Sequence, residues 1–181
     1  MRAPLLPTFF AFSSELGPLT IEWRGDMVCS LRFSASEREP EPEIELSVAQ
    51  HATIDRLRRY ALGEPVDLNS IPIDLSEVST FTQRVYRECR KIAPGMTISY
   101  GQLAARAGSP KGARAVGGAM ARNRIPLLIP CHRVVASTGK LHGFSAPQGL
   151  RLKDRLLRLE REAIAETKKT AVDHRSNSGL R

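Results

Sequence analysis

Apolar and polar residues alternate in three short runs near the start of the chain, a pattern typical of half-buried strands. We predict strands at Thr8–Ser13, Pro18–Trp23 and Met27–Phe33. Gly17-Pro18 and Arg24-Gly25-Asp26 separate these runs as turns, so the strands should form an antiparallel meander. The spacing then becomes helical over Val48–Leu62, with Gly63 as its C-terminal cap, and Ile71–Leu75 is compatible with one more strand.

The second part of the chain is patterned as helices. Ser79 or Thr80 can cap the first of them. Its apolar stripe comprises Phe81, Val85, Tyr86, Cys89 and Ile92. Cys89 is therefore expected in the core, and the change of pattern near residues 75–79 is our predicted domain boundary.

Two short helices follow in a tight arrangement. Ser99-Tyr100-Gly101-Gln102 is a capping box that opens a helix through Ala107, ending at Gly108. Ser109 can cap a second helix, with Pro110 at its first position, that continues through Met120. The pair predicts a helix-turn-helix, although an ordinary helical hairpin has the same pattern. Adjacent glycines at 117 and 118 cost this helix roughly 1 kcal/mol each, which is reasonable where DNA or a neighbouring element approaches closely.

Charge is divided unevenly along the chain. Residues 1–78 carry 7 Arg and no Lys against 13 acidic residues, a net charge of −6, whereas residues 79–181 reach +14. A basic half that contains a helix-turn-helix favours a nucleic acid as its partner. The alternative is a basic surface that is only solvated and binds no partner.

The three cysteines are widely separated, which argues against a disulfide framework and a zinc cluster. We expect no metal, no cofactor and a reducing, intracellular compartment. Met1–Ala11 is apolar but interrupted by Pro4 and Pro7, so we expect neither a signal peptide nor a membrane span.

Pro130-Cys131-His132-Arg133-Val134 places a thiol beside an imidazole, after the apolar run 125–129. Cysteine thiolate is a strong carbon nucleophile that requires a nearby base or positive charge, and we expect this sulfur to be ionised at rest. In an extended strand Cys131 and His132 point oppositely, so a bridging water is their expected link. Glu160, at the end of a Leu-rich helix, is a candidate to orient His132. A solvated Glu160 and an inert, buried Cys131 fit the same spacing.

From Phe81 to Glu160 the chain resembles the O6-alkylguanine-DNA alkyltransferases. The motifs that carry the resemblance are Arg114–Met120, Asn123, Pro130–Val134, Gly143–Ser145, and Leu156-Leu157 with Glu160. Residues 16–19 match more loosely. The resemblance implies an α/β N-terminal domain over residues 1–77, with a ribonuclease-H-like antiparallel sheet plus a helix. A mainly helical, winged-helix-like DNA-binding domain with a helix-turn-helix would cover 78–165, and we expect residues 166–181 to form a disordered polar tail.

The function implied by this resemblance is DNA repair by direct damage reversal. The alkyl group of O6-alkylguanine would move once, stoichiometrically, to Cys131 after minor-groove binding and nucleotide flipping. His132, hydrogen-bonded to Glu160, would activate Cys131 through water. Tyr100 would donate a proton towards guanine N3, and Asn123 would support the turn that presents the cysteine.

Two further sets of residues follow from the resemblance. Arg114 would enter the base stack as a finger. Its neighbours at the DNA would be Ala113, Ala115 and Gly117, and the guanine pocket would be lined by Met120, Val134, Phe144 and Ser145. Phe144 stands where many members have Tyr, and the loop 146–149 is slightly longer than usual. Both departures bear on the range of alkyl groups accepted.

The expected partner is double-stranded DNA containing O6-alkylguanine, bound by a monomer with no membrane association. The protein would be cytoplasmic and nucleoid-associated if bacterial, and nuclear if eukaryotic. One alternative is a lesion-binding protein without transfer activity, against which the cysteine argues directly. Another is a helix-turn-helix regulator, although its second helix lacks the polar side chains that read bases in the major groove.

Overall fold

A computed structural model describes residues 7–34, 45–144 and 146–177, with side chains up to residue 169. The first three strands are β1 (Thr8–Phe12), β2 (Leu19–Arg24) and β3 (Met27–Phe33). They form an antiparallel sheet in the order β1-β2-β3, which confirms the predicted meander. Alternate residues of β2 are fully buried, as the alternation of the sequence requires.

The predicted strand at Ile71–Leu75 is wrong. Within the part of the chain that the structure describes, this segment makes a single parallel bridge, between Val28 and Ile73. Hydrogen bonds from the Val28 N–H to the Pro72 carbonyl and from the Asp74 N–H to the Val28 carbonyl hold it beside β3. Alternation over five residues is too short a signal to separate such a bridge from a strand.

Helix α1 (Val48–Ala61) is close to its predicted bounds. Ser47 and Gln50 form a capping box at its start, and the Gln50 amide also donates to the Gly25 carbonyl at 3.0 Å. The helix is thereby fixed to the β2–β3 turn. Its buried stripe includes Leu57 and Tyr60, so the Tyr60 side chain lies in the interior of the protein.

Helix α2 (Thr80–Arg90) is capped by Ser79, and its stripe buries Cys89 completely, both as predicted. A two-residue strand, β4 (Ile98–Ser99), leads into α3 (Tyr100–Arg106), whose Ser99 capping box is confirmed. Helix α4 (Ala113–Ala121) packs against α3 and α2.

The predicted start of α4 is wrong. The helix begins at Ala113 after Gly112 and has no side-chain cap. The Gly112 N–H donates to the Ser109 carbonyl at 2.7 Å, which closes a turn over residues 109–112. Ser109 and Pro110 are good helix-start residues, but they also favour turns, and the turn prevails here.

After a buried loop, residues Cys131–Arg133 form a short 3-10 helix, followed by β5 (Val134–Val135). β5 pairs in parallel with β4, placing Ile98 opposite Val134. The final helix, α5, spans Leu150–Asn177. It therefore continues through residues 166–177, where we predicted a disordered tail.

The buried apolar residues of both halves belong to one cluster, from Trp23 in β2 to Leu156 in α5. The Leu31 N–H also donates to the Arg124 carbonyl at 2.8 Å, which joins the sheet directly to the loop before Cys131. Among the described residues, none of the helices is long and apolar enough to cross a membrane.

Candidate active site

The loop before Cys131 is held by Asn123. Its side-chain amide donates to the Ile129 carbonyl at 2.8 Å, and its carbonyl accepts from the Ile125 N–H at 3.0 Å. Leu127 adopts a positive φ of 70°, which a non-glycine residue keeps only when its surroundings enforce it. Asn123 thus fixes both ends of the segment that presents the thiol.

Cys131 does not lie in a strand, contrary to our expectation. The 3-10 helix over Cys131–Arg133 has about three residues per turn, so successive side chains leave the axis in three different directions. All three residues are buried. The thiol and the imidazole therefore point in different directions because of the helical turn, and not because side chains alternate along a strand as we predicted.

His132 is completely buried and lies 2.9 Å, through Nε2, from the Glu160 Oε1 atom. Because a carboxylate only accepts hydrogen bonds, Nε2 carries the proton and Nδ1 keeps its lone pair. Nδ1 is itself buried and has no hydrogen-bond partner among the described residues. Burial lowers the pKa of His132, and this effect outweighs the opposing influence of Glu160, so the imidazole is neutral at neutral pH.

Glu160 is buried in the body of α5, not solvated at a helix end. It accepts hydrogen bonds from the Gly95 N–H at 2.8 Å and from Arg133, whose guanidinium approaches Oε1 to 2.7 Å. Burial alone would raise the pKa of this carboxyl, but the hydrogen bonds from His132 and Arg133 and the Arg133 charge lower it far below its usual value. Glu160 is therefore a permanent anion that orients the imidazole.

The expectation of a thiol ionised at rest is wrong. Cys131 exposes 5% of its surface, and burial raises its pKa, against the opposing effects of an Asn123 hydrogen bond and the Lys153 charge. The resting thiol therefore keeps its proton at neutral pH. Cys131 and His132, which are consecutive in the 3-10 helix, are therefore both neutral at rest.

Four other candidate residues belong to the core or border it. Met120 and Val134 are buried in the hydrophobic cluster that also contains Cys131, and Tyr100 and Phe144 pack, partly buried, against that cluster. Burial raises the pKa of Tyr100, and a charge on Cys131 raises it further, so the hydroxyl keeps its proton. Ser145 lies outside the described residues.

The N-terminal part of α4 is open to solvent. Arg114 and Ala115 are exposed, and Ala113 is partly exposed. A Cβ atom built on Gly117 would meet nothing within 4 Å, and one on Gly118 would meet only the Arg122 side chain. Within the described residues, packing against a neighbouring element therefore does not explain the two glycines.

The prediction missed three buried polar residues at this site: Tyr60, Arg133 and Lys153. Tyr60 donates to the Glu160 Oε1 atom at 2.7 Å. Lys153 donates to the carbonyls of Val134 at 2.7 Å and His142 at 3.0 Å, which fixes the backbone on either side of the loop after β5. Lys153 precedes Glu160 by seven residues and so shares its helix face, a signal present in the sequence.

No group of three or more His, Cys, Asp or Glu side chains suited to a metal ion occurs within the described ranges. A cavity of about 500 Å³ adjoins the site and is lined by Tyr60, Arg133 and Glu160 together with apolar residues of α5. Cys131 and His132 are not among the residues that line it.

Comparisons with known proteins agree on one family. The model of the 6-O-methylguanine DNA methyltransferase DNA-binding domain matches residues 80–162. The methylated-DNA–protein-cysteine methyltransferase of Mycobacterium tuberculosis is 36% identical over 153 residues, covering 82% of this chain and 88% of the relative. That of Metallosphaera sedula is 37% identical over 153 residues, covering 84% and 92%.

Solved structures give the same result. The crystal structure of the Mycobacterium tuberculosis O6-methylguanine methyltransferase matches with a TM-score of 0.72 and 33% identity, covering 87% of this chain and 94% of that one. The structure of the Mycobacterium tuberculosis OGT in complex with DNA matches with a TM-score of 0.72 and 34% identity, covering 86% and 93%.

Proposed function

Because the chain belongs to the methylated-DNA–protein-cysteine methyltransferase family, we propose that it repairs DNA by moving the alkyl group of O6-alkylguanine to Cys131. One observation supports this above the others: buried His132 is fixed by Glu160 through Nε2, and its other nitrogen is left as a base. With Cys131 as the preceding residue, the arrangement supplies both a nucleophile and a base, which alkyl transfer uses.

The transfer is a substitution at the alkyl carbon. The Cys131 sulfur forms a bond to that carbon while the bond from the carbon to guanine O6 breaks. The thiol proton passes through a water molecule to the His132 Nδ1 atom, and Tyr100 donates its proton towards guanine N3, which neutralises the departing base. The imidazolium then returns a proton to the tyrosine through solvent, leaving guanine and an S-alkylcysteine.

The buried thiol requires that the nucleotide leave the duplex. Flipping a base costs a few kcal/mol, which an inserted side chain offsets. Arg114 is exposed near the start of α4, beside Ala113, Ala115 and the open Gly117, and suits the role of that side chain in the minor groove. The flipped guanine would lie against Met120, Val134, Phe144 and Ser145.

Several finer features belong to the same proposal. The thioether formed on Cys131 is stable, so each molecule would repair one lesion. The protein would act as a monomer. The N-terminal sheet and helix would follow a ribonuclease-H-like arrangement, and the second half a winged-helix-like one. Double-stranded DNA carrying O6-alkylguanine is the proposed partner, in agreement with the DNA complex of the Mycobacterium tuberculosis relative.

A single-turnover assay tests the proposal. The protein is mixed with duplex DNA containing O6-methylguanine, and the peptides are examined by mass spectrometry. We expect a methyl group on the Cys131 sulfur, seen as a mass increase of one CH2 in that peptide, and restored guanine in the DNA. Cys131→Ala should abolish transfer and keep DNA affinity, because phosphate contacts supply most of that affinity.

Cys29→Ser is the matched control, since Cys29 is a free thiol of the N-terminal sheet. It should transfer as the unaltered protein does. Unmodified protein bound to an intact lesion would instead support a lesion-binding protein and would refute the transfer.

A further inference from the structure

Tyr60 lies in the hydrogen-bond network of the site, although it comes from α1 in the first half of the chain. Its hydroxyl donates to the Glu160 Oε1 atom at 2.7 Å and lies 3.5 Å from the His132 Nε2 atom. The residue is 5% exposed. Its hydroxyl therefore contacts both the carboxylate and the imidazole from inside the protein.

The Oε1 atom of Glu160 is crowded with donors. It accepts from Tyr60 at 2.7 Å, from the Arg133 guanidinium at 2.7 Å and from the His132 Nε2 atom at 2.9 Å. One carboxylate oxygen offers about two lone pairs, so these donors share its negative charge. The Arg133 Nε atom also donates to this oxygen, at 3.1 Å, so the His132 bond is one of four and the imidazole receives only part of the carboxylate charge.

Tyr60 keeps its proton in this position. Burial, followed by the charge of Glu160, raises the pKa of its hydroxyl well above the usual value. The hydroxyl is thus a permanent donor, and the bond to Glu160 has a fixed direction. Nothing else in α1 approaches the carboxylate through a hydrogen bond among those described.

We propose that Tyr60 is a positioning residue for alkyl transfer, acting on His132 by occupying part of the Glu160 carboxylate. The inference rests on the proposed function, in which His132 is the base. With Tyr60 in place, Glu160 fixes the ring and its tautomer yet is restrained from stabilising the imidazolium. Without the hydroxyl, more of the carboxylate charge would reach His132 and favour protonation at rest.

The charged and titratable groups that face His132 come from three elements. Glu160 and Lys153 lie on α5, Arg133 and the protonated thiol of Cys131 lie on the 3-10 helix, and Tyr60 lies on α1. Glu160 raises the pKa of His132, whereas the Arg133 and Lys153 charges lower it, as burial does. Removing a donor from Glu160 strengthens the one influence that raises this pKa, so the expected shift is upward.

The first test is Tyr60→Phe, which removes the hydroxyl and keeps the ring. The single-turnover transfer rate is measured against pH on O6-methylguanine duplex. The midpoint of the acid limb should move upward by about half a pH unit or more, with the rate on that limb falling about threefold and little change at alkaline pH. An unmoved midpoint, or one that moves downward, overturns the proposal.

Ile54→Val is the matched control. Ile54 is buried on the same helix, and its apolar side chain cannot hydrogen-bond to Glu160 or His132. The substitution should cost about 0.5–1.5 kcal/mol of stability, so it tests whether α1 acts through stability alone. Its midpoint should equal that of the unaltered protein. A midpoint that shifts as in Tyr60→Phe would reduce Tyr60 to a packing residue and overturn the proposal.

The adjoining cavity allows a second, independent test. Tyr60 lines this space of about 500 Å³, so Tyr60→Ala would open a site for an added aromatic molecule. Phenol restores both the ring and the hydroxyl, whereas benzene restores the ring alone. Phenol should recover the transfer rate on the acid limb several-fold more than benzene does, and equal effects of the two, including none, overturn the proposal.

These outcomes are separate from failure of the proposed function. If the unaltered protein adds no alkyl group to Cys131, the transfer itself is refuted. If it does, and Tyr60→Phe reaches the same final extent of alkylation with an unchanged pH profile, only the role of Tyr60 is refuted.

Discussion

Replacing Glu160 with Gln should destabilise the protein more than replacing its partner Arg133 with Met. Glu160→Gln leaves a buried guanidinium, 6% exposed, with the Ile92 carbonyl as its remaining described acceptor. Removing one member of a buried ion pair in this way costs about 3–5 kcal/mol of unfolding free energy. The side-chain amide that replaces the carboxylate also points its NH2 group at another donor, either the Gly95 N–H or the Arg133 guanidinium. This contact between two donors adds to the loss of unfolding free energy.

Arg133→Met has a milder expected effect. The carboxylate loses its counter-ion but keeps Tyr60, His132 and the Gly95 N–H as hydrogen-bond donors, whereas the guanidinium in Glu160→Gln keeps a single described acceptor. We expect a loss of about 1–3 kcal/mol, the usual cost of disrupting buried hydrogen bonds. The double variant should lose less than the sum of the single variants by about 1–3 kcal/mol, because neither charge is then left alone.

Urea unfolding measures all three values. Trp23 is the one tryptophan of the chain and is fully buried, so its fluorescence reports unfolding, and circular dichroism checks that both halves unfold together. Strict additivity, or an Arg133→Met variant less stable than Glu160→Gln, would show that Arg133 does not depend on Glu160 for its burial.

Three further predictions concern DNA and pH. Arg114→Ala should lower the repair rate on duplex DNA more than on single strands. Arg106→Ala, which removes another exposed cation, should lower the two rates by the same factor. Equal losses of rate for Arg114→Ala on the two substrates would refute its role as a finger. DNA affinity should fall as salt rises, and a flat dependence measured by anisotropy would contradict the charge argument. Unfolding free energy should fall as pH drops below about 6.5, since burial lowers the pKa of His132 in the folded state and the unfolded chain binds that proton more readily. His132→Gln should flatten this part of the urea-derived stability profile, and an unchanged slope would assign it to other groups.

The elements that sequence predicted well depend on local rules. The meander follows from alternation and glycine turns, and the α3 start follows from a capping box whose two hydrogen bonds join residues 99 and 102. The thiol–imidazole pair was visible because its members are adjacent. Each of these signals is contained within a few residues, which is the range over which propensity acts.

The errors have equally physical causes. Residues 166–177 are polar, but glutamate, lysine and alanine are strong helix formers, so polarity alone was no evidence of disorder. Tyr60 could not be assigned because its partner lies 100 residues away. The sequence shows a tyrosine on an apolar stripe, which requires some partner for its hydroxyl, and only the tertiary fold identifies Glu160 as that partner.

The neutral resting thiol changes how selectivity should be understood. If one molecule accepts one alkyl group, as proposed, any stray electrophile or oxidant that reached a thiolate would consume the protein without repair. Burial of Cys131 to 5% exposure and retention of its proton both suppress that loss. The reaction then depends on three events inside the pocket: delivery of the alkyl carbon, proton transfer to His132 and protonation of the departing guanine. In the proposed mechanism, reactivity is thereby coupled to the presence of the substrate, and the network behind His132 would act by keeping the base neutral until that moment.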